Sequence, residues 1–334
     1  MWAWSRLLVG LGIIGVLVWQ LGTRAFLDGL RVVDARTVIA ALAIGLGTTV
    51  CSAARWCLVA RRLGLRLSLR SGVEDYYRAL FLNAVLPAGV LGDVHRAVRH
   101  GRQEGDVGRG VRAVMLERFA GQIVVVAVAV PVLLARPAVI PARFHGAVTT
   151  SATVVAAFAV VVSVVAVVAG RRWTRSGSRW RRASAVSLGD LRRGLLARDA
   201  WPGVTLLSAL TFAGHLTMFL VAARAAGSTA PVGRLLPLMM LTLLAMGLPV
   251  NVGGWGPREG VAALAFAAAG LSAAQGLTTA VVYGVLALVA SLPGALVLLW
   301  PAVARPTRPA WELASPRVLR DLSDNSPNFG RGAA

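Results

Sequence analysis

Residues 248–260 read LPVNVGGWGPREG and interrupt an apolar run that otherwise extends from Leu235 to Leu271. Proline cannot donate a backbone hydrogen bond, and glycines tolerate dihedrals that other residues avoid, so an entering helix stops here. Pro257 suits the first turn of a new helix through REGVAALAFAAAG. Open backbone N–H groups at that turn, with the positive end of the helix dipole, attract an anion. Arg258 adds a planar donor fork suited to phosphate. Irregular backbone is tolerated at membrane depth only where protein or a water-filled cavity covers it.

The rest of the chain says that lipid surrounds this break. Of 334 residues, 57% are hydrophobic and only 15% charged, too apolar for a water-soluble domain. Several runs reach the ~20 residues that a helix needs to cross a ~30 Å hydrocarbon core. The runs are continuous rather than alternating, which predicts an all-α integral membrane protein. Full crossings are expected at 6–22, 37–61, 113–135, 147–170, 202–224 and 277–300. The first run, Leu7 to Leu21, has no small-residue cleavage site before TRAFLDG and reads as a retained helix, not a signal peptide.

Residue types exclude much. All 35 basic residues are arginine. Without lysine there is no Walker A loop, no kinase-type phosphate lysine and no Schiff base. Cys51 and Cys57, six apart on one helix, are separated by ~9 Å of rise, too far for a disulfide. His95, His100, His145 and His215 lack metal-ligand spacing. Neither a metal nor a cofactor is expected.

Two apolar segments, about 73–91 and 235–270, resist assignment as simple crossings, and the arginines decide their topology. The 61–78, 92–112 and 171–199 loops and the 301–334 tail carry 24 arginines, against 7 in the remaining connections. Short cytoplasmic loops carry such an excess. A full crossing at 79–91 would put the two basic loops that flank it on opposite sides. The conflict disappears if this segment enters from the cytoplasm and returns there, and if 235–270 enters and leaves from outside. Both termini are then cytoplasmic. Each half (about 1–136 and 137–304) has the order helix, helix, re-entrant element, helix, and the second is inverted relative to the first. Residues 305–334 are expected to be a disordered cytoplasmic tail.

The breaks share a pattern. LPAGVLGDVHR from Leu86 and LPVNVGGWGPR from Leu248 match at Leu, Pro, Val, Gly and Arg with one offset of 162. Pro87, Pro249 and Pro257 are the helix breakers. Arg96 and Arg258 are candidate phosphate ligands, and Gly92, Gly253, Gly254 and Gly256 would permit close backbone approach. Asp93, Glu117, Arg118 and Glu259 would orient the arginines or carry a coupling proton. Glu117 and Arg118 are adjacent in an apolar helix, so each needs a partner elsewhere. Arg55 and Arg224 are expected to snorkel near helix ends.

FLNAVLPAGVLGDVHR and PVNVGGWGPREGVAALAFAAAG resemble the two signature regions of the lysylphosphatidylglycerol synthase transmembrane-region family, the flippase-like proteins. The likeness covers roughly residues 5–300. Asn83, Pro87, Gly92, Asp93, Arg96 and the Glu117–Arg118 pair match in the first half, and Gly253, Gly254, Gly256, Arg258 and Glu259 in the second. Leu91 stands where the family often has glycine. Fused members carry a soluble aminoacyltransferase domain, for which the tail is too short and polar. The resemblance implies a flippase of the cell membrane, moving an anionic phospholipid or a polyprenyl-phosphate-linked glycolipid, and no enzyme. The partner is a membrane lipid with a phosphate head group, not nucleic acid. One alternative is a polyprenyl-phosphate-dependent glycosyltransferase using Asp28 and Asp34. Another is a non-catalytic partner of a separate synthase or cell-envelope complex.

Overall fold

A computed structural model describes residues 31–86, 90–135, 200–246 and 256–303, and secondary structure among them is helical throughout. In chain order the helices are α1 (Ala35–Arg62), α2 (Leu69–Val85), α3 (Leu91–Gln103), α4 (Val107–Leu134) and α5 (Trp201–Ala225). They continue with α6 (Val232–Met246), α7 (Pro257–Ala268), α8 (Ala273–Ser291) and α9 (Pro293–Val303). The chain forms one unit over Met1–Ala295 and a second over Leu296–Ala334, of which the end of α9 is described.

Four stretches are long and apolar enough to cross a membrane: Ala35–Arg62, Val107–Leu133, Trp201–Ala225 and Ala273–Leu299. They coincide with four of the expected crossings, and the chain is a membrane protein. The expected crossings at 6–22 and 147–170, and the tail 305–334, lie outside the described residues. The last crossing divides at Leu292, because Pro293 has no N–H to continue the helix.

Short polar side chains start several helices by accepting an otherwise orphaned backbone N–H. Asp34 accepts from Thr37 N at 2.9 Å, Asp106 from Arg109 N at 2.8 Å, and Ser272 from Gln275 N at 3.4 Å.

At the centre α1 packs on α5. Leu58 lies by Gly203, Arg55 bonds Ser208, Ser52 faces Thr211, and Thr48 meets Gly214. Partner numbers rise as α1 numbers fall, so the two helices run antiparallel. Around this seam α1 also contacts α2, α4 and α8, and α5 contacts α6, α8 and α4. The pairs α2–α3, α3–α4, α6–α7, α7–α8, α4–α6 and α2–α8 complete the packing. One core, around Trp56 and Tyr76, is built from α1 to α4 plus Val204. Another, around Phe219, Phe266 and Tyr283, is built from α5 to α8 plus Ala41.

α1 and α5, α3 and α7, and α4 and α8 each begin 166 residues apart (35 and 201, 91 and 257, 107 and 273), and α2 and α6 begin 163 apart (69 and 232), against the 162 that separates the shared motif letters.

Candidate functional site

The break between α2 and α3 is held by Asn83. Its Oδ1 accepts from Gly92 N at 2.8 Å, and its Nδ2 donates to Asp93 Oδ2 at 3.1 Å. A Cβ on Gly92 would collide with the backbone of Ala79. The glycine thus lets α3 sit directly on α2, and its close approach is to protein.

One turn on, Arg96 is completely enclosed. Its Nε donates to Asp93 Oδ1 at 2.9 Å, and its Nη2 to Glu117 Oε2 at 2.7 Å. The guanidinium lies 4.4 Å from the Tyr76 ring centroid and 4.8 Å from that of Trp56, a double cation–π seat. Glu117, also fully buried, accepts from Arg55 Nε at 3.0 Å and from the Tyr76 hydroxyl at 3.2 Å. Arg55 also donates to Ser208 Oγ at 2.9 Å. Arg118 turns the other way and grips Asp93, with Nη2 2.7 Å from Oδ2 and Nε 3.2 Å from Oδ1. Glu117 and Arg118 each have a partner elsewhere, as their adjacency requires.

The network has a charge and a depth. Among the described residues, three guanidinium groups (Arg55, Arg96, Arg118) face two carboxylates (Asp93, Glu117), leaving one formal positive charge. Glu117 and Arg118 are the eleventh and twelfth residues of α4, ~15 Å along it, and the fifth and sixth of the crossing expected at 113–135. Arg118 is the accessible member, its side chain 47% exposed against 0% for Arg96.

The second break ends in a different arrangement. Gly256 takes a φ of 112°, open to glycine at little cost, and Pro257 begins α7 as expected. Glu259 Oε2 accepts from Gly256 N at 2.6 Å, and its Oε1 accepts from Arg258 Nε at 2.9 Å. Arg258 is 3% exposed and lies 5.3 Å from the centroid of Tyr283, whose hydroxyl meets His215 Nδ1 at 3.1 Å. Gly253, Gly254, Pro249 and Pro87 fall outside the described residues.

The family model described as Lysylphosphatidylglycerol synthase TM region matches residues 4–294. The chain belongs to this family. Membership gives it a membrane-lipid-related role. No curated protein and no solved structure matches the chain.

Within this member of the lysylphosphatidylglycerol synthase transmembrane family, Arg55 requires a correction. It does not snorkel at a helix end; it is 5% exposed and bonds Glu117. It lies two turns inside α1, and the acid it needs is 62 positions away in sequence. Arg224, in the last turn of α5, donates to the carbonyls of Ser228 and Ala230 in the turn that follows. Trp56, Tyr76 and Ser208 were not legible as site residues, since no spacing rule links them to the motif. Asp34 caps α1, and Asp28 lies outside the described residues. Among the described residues no three His, Cys, Asp or Glu side chains are grouped to hold a metal ion.

Proposed function

We propose that the protein is a flippase or translocase of the cell membrane, carrying an anionic phospholipid or a polyprenyl-phosphate-linked glycolipid between leaflets rather than transforming it. The uncompensated positive charge inside a long apolar helix, with Arg118 half exposed beside it, carries this reading. A charge in hydrocarbon is costly and marks a substrate path or a paired partner. A lipid phosphate supplies that partner. In this reading Arg118 meets the phosphate first, exchanging Asp93 for phosphate oxygens in a similar forked geometry. Arg96, Glu117 and Arg55 form the rigid wall behind it, and Arg258 with Glu259 does the same from the second break.

The packing supports two inverted repeats. Exchanging α1 with α5, α2 with α6, α3 with α7 and α4 with α8 turns the set of packed pairs into itself. Gly110 packs on the carbonyl of Ala97 as Gly276, 166 residues later, packs on that of Ala262. Because α1 and α5 are exchanged and antiparallel, the exchange axis is perpendicular to them, and so lies in the membrane plane for spanning helices. That is the inverted-repeat plan of many transporters.

Surface chemistry supports a re-entrant first break. Val85, Leu86, Val90, Leu91 and Val94 are exposed around its tip. Arg70 at the start of α2 and Arg102 at the end of α3 are exposed as well. Apolar tip and basic ends fit a hairpin that dips into lipid and returns to the cytoplasmic interface, which also leaves both termini cytoplasmic.

The test is leaflet exchange of a labelled anionic phospholipid in liposomes holding the purified protein. Exchange above protein-free liposomes, lost in Arg118→Gln, is expected. Absence of exchange under every ion gradient overturns the reading.

A further inference from the structure

A second polar site lies apart from Arg118. A cavity of about 690 Å³ opens between the α1–α2 turn and the end of α3, lined by Arg61, Arg66, Ser68, Ser71, His100 and Glu104 among others. His100 is only 2% exposed, yet its Nε2 has no hydrogen-bond partner among the described residues. Buried imidazole nitrogens are ordinarily satisfied, and an orphan calls for a water or an ion. His100 is not alone. Its ring packs edge-on to Trp56 at 5.5 Å, and Trp56 in turn lies beneath Arg96. Trp56 Nε1 and Arg96 Nη1 are likewise buried without partners. The side chains that carry these three nitrogens therefore pack in sequence from the cavity wall to the Glu117 network.

We infer that this cavity is a binding site for a phosphate group at the cytoplasmic end of α3, with His100 in its inner wall. Arg61 and Arg66 line it with one carboxylate residue, and Arg61 also donates from Nε to the Cys57 carbonyl at 3.3 Å. That carboxylate, Glu104, is already engaged by Arg66 N at 3.1 Å. The balance of charge favours an anion, and guanidinium, hydroxyl and imidazole N–H donors suit phosphate oxygens. The volume exceeds that of phosphate alone and admits a lipid head group, so the phosphate can come from a cytoplasmic-leaflet lipid or from solution. His100 lies four residues after Arg96 on one helical face, so a group held here waits one turn from the buried network.

The experiment uses the full chain with ring-carbon-labelled histidine in nanodiscs of neutral phosphatidylcholine. The His100 resonance is assigned by its loss in His100→Gln. One arm titrates inorganic phosphate; the other replaces part of the lipid with phosphatidylglycerol. A shift of the His100 signal is expected in at least one arm. Response to phosphatidylglycerol alone identifies the lipid head group as the source, and response to inorganic phosphate alone identifies solution phosphate. Arg61→Gln with Arg66→Gln raises the half-saturating concentration about tenfold or more, as loss of charge-assisted bonds requires. No shift in either arm, or an unchanged titration in the double variant, overturns the site. Binding is read without transport, so a failure of leaflet exchange leaves this result standing, and the reverse also holds.

Discussion

Glu117 is the acid on which the first-half network closes, taking hydrogen bonds from Arg55, Arg96 and Tyr76 while wholly out of water. Glu117→Ala leaves the enclosed Arg55 without a carboxylate and Arg96 with only Asp93, which Arg118 shares, and breaking a buried ion pair costs about 3–5 kcal/mol. The expected outcome is a large fall in thermal unfolding temperature in detergent. Arg118 behaves differently because it is half exposed. Arg118→Lys should fold normally but exchange lipid about tenfold more slowly or worse, since lysine cannot make two parallel bonds to one anion. Normal exchange per folded protein would remove Arg118 from the path. Asp34 shows a simpler role. The Thr37 backbone N–H, followed by the Thr37 hydroxyl, holds its carboxyl below the ordinary value. A lowered value means stabilisation present above the ordinary carboxylate range and lost as pH falls through the lowered one. Asp34→Asn keeps the cap, whereas Asp34→Ala frays the first turn of α1 at neutral pH, and the difference from wild type shrinks in acid. Amide exchange at Thr37 and Val38 reads this directly.

At the scale of elements, glycine decides how closely the short helices approach. Gly92 would strike Ala79, and Gly294 the Tyr77 carbonyl, if either carried a Cβ, whereas Gly47 meets nothing within 4 Å. Gly92→Ala should therefore destabilise by about 1–3 kcal/mol and loosen the break, with Gly47→Ala harmless, as unfolding midpoints would show. The helices themselves were legible because each crossing is a long apolar run, and the breaks because proline and glycine punctuate them. Leu, Val, Gly and Arg recur too often for the shared motif alone to fix how the two halves align. The wall of the site was illegible for another reason. Arg55, Tyr76 and Arg96 stand 62, 41 and 21 positions from Glu117, and only packing brings them together.

For the whole molecule, the re-entrant reading makes a labelling prediction. In a background without Cys51 and Cys57, Arg70→Cys and Arg102→Cys should react with an impermeant thiol reagent from the same face of the membrane. Thr229→Cys, in the exposed turn after α5, should react from the other face. Labelling of Arg70→Cys and Arg102→Cys from opposite faces would make the first break a full crossing. The half-exposed guanidinium of Arg118, ~16 Å along α4, bears on the membrane as well as the protein. In the translocase reading, an arginine inside a spanning helix and open on one side draws water and head groups toward itself and thins the bilayer beside α4. The protein would then carry a permanent dimple in its lipid annulus, a place where the insulating layer is thinnest before any substrate arrives.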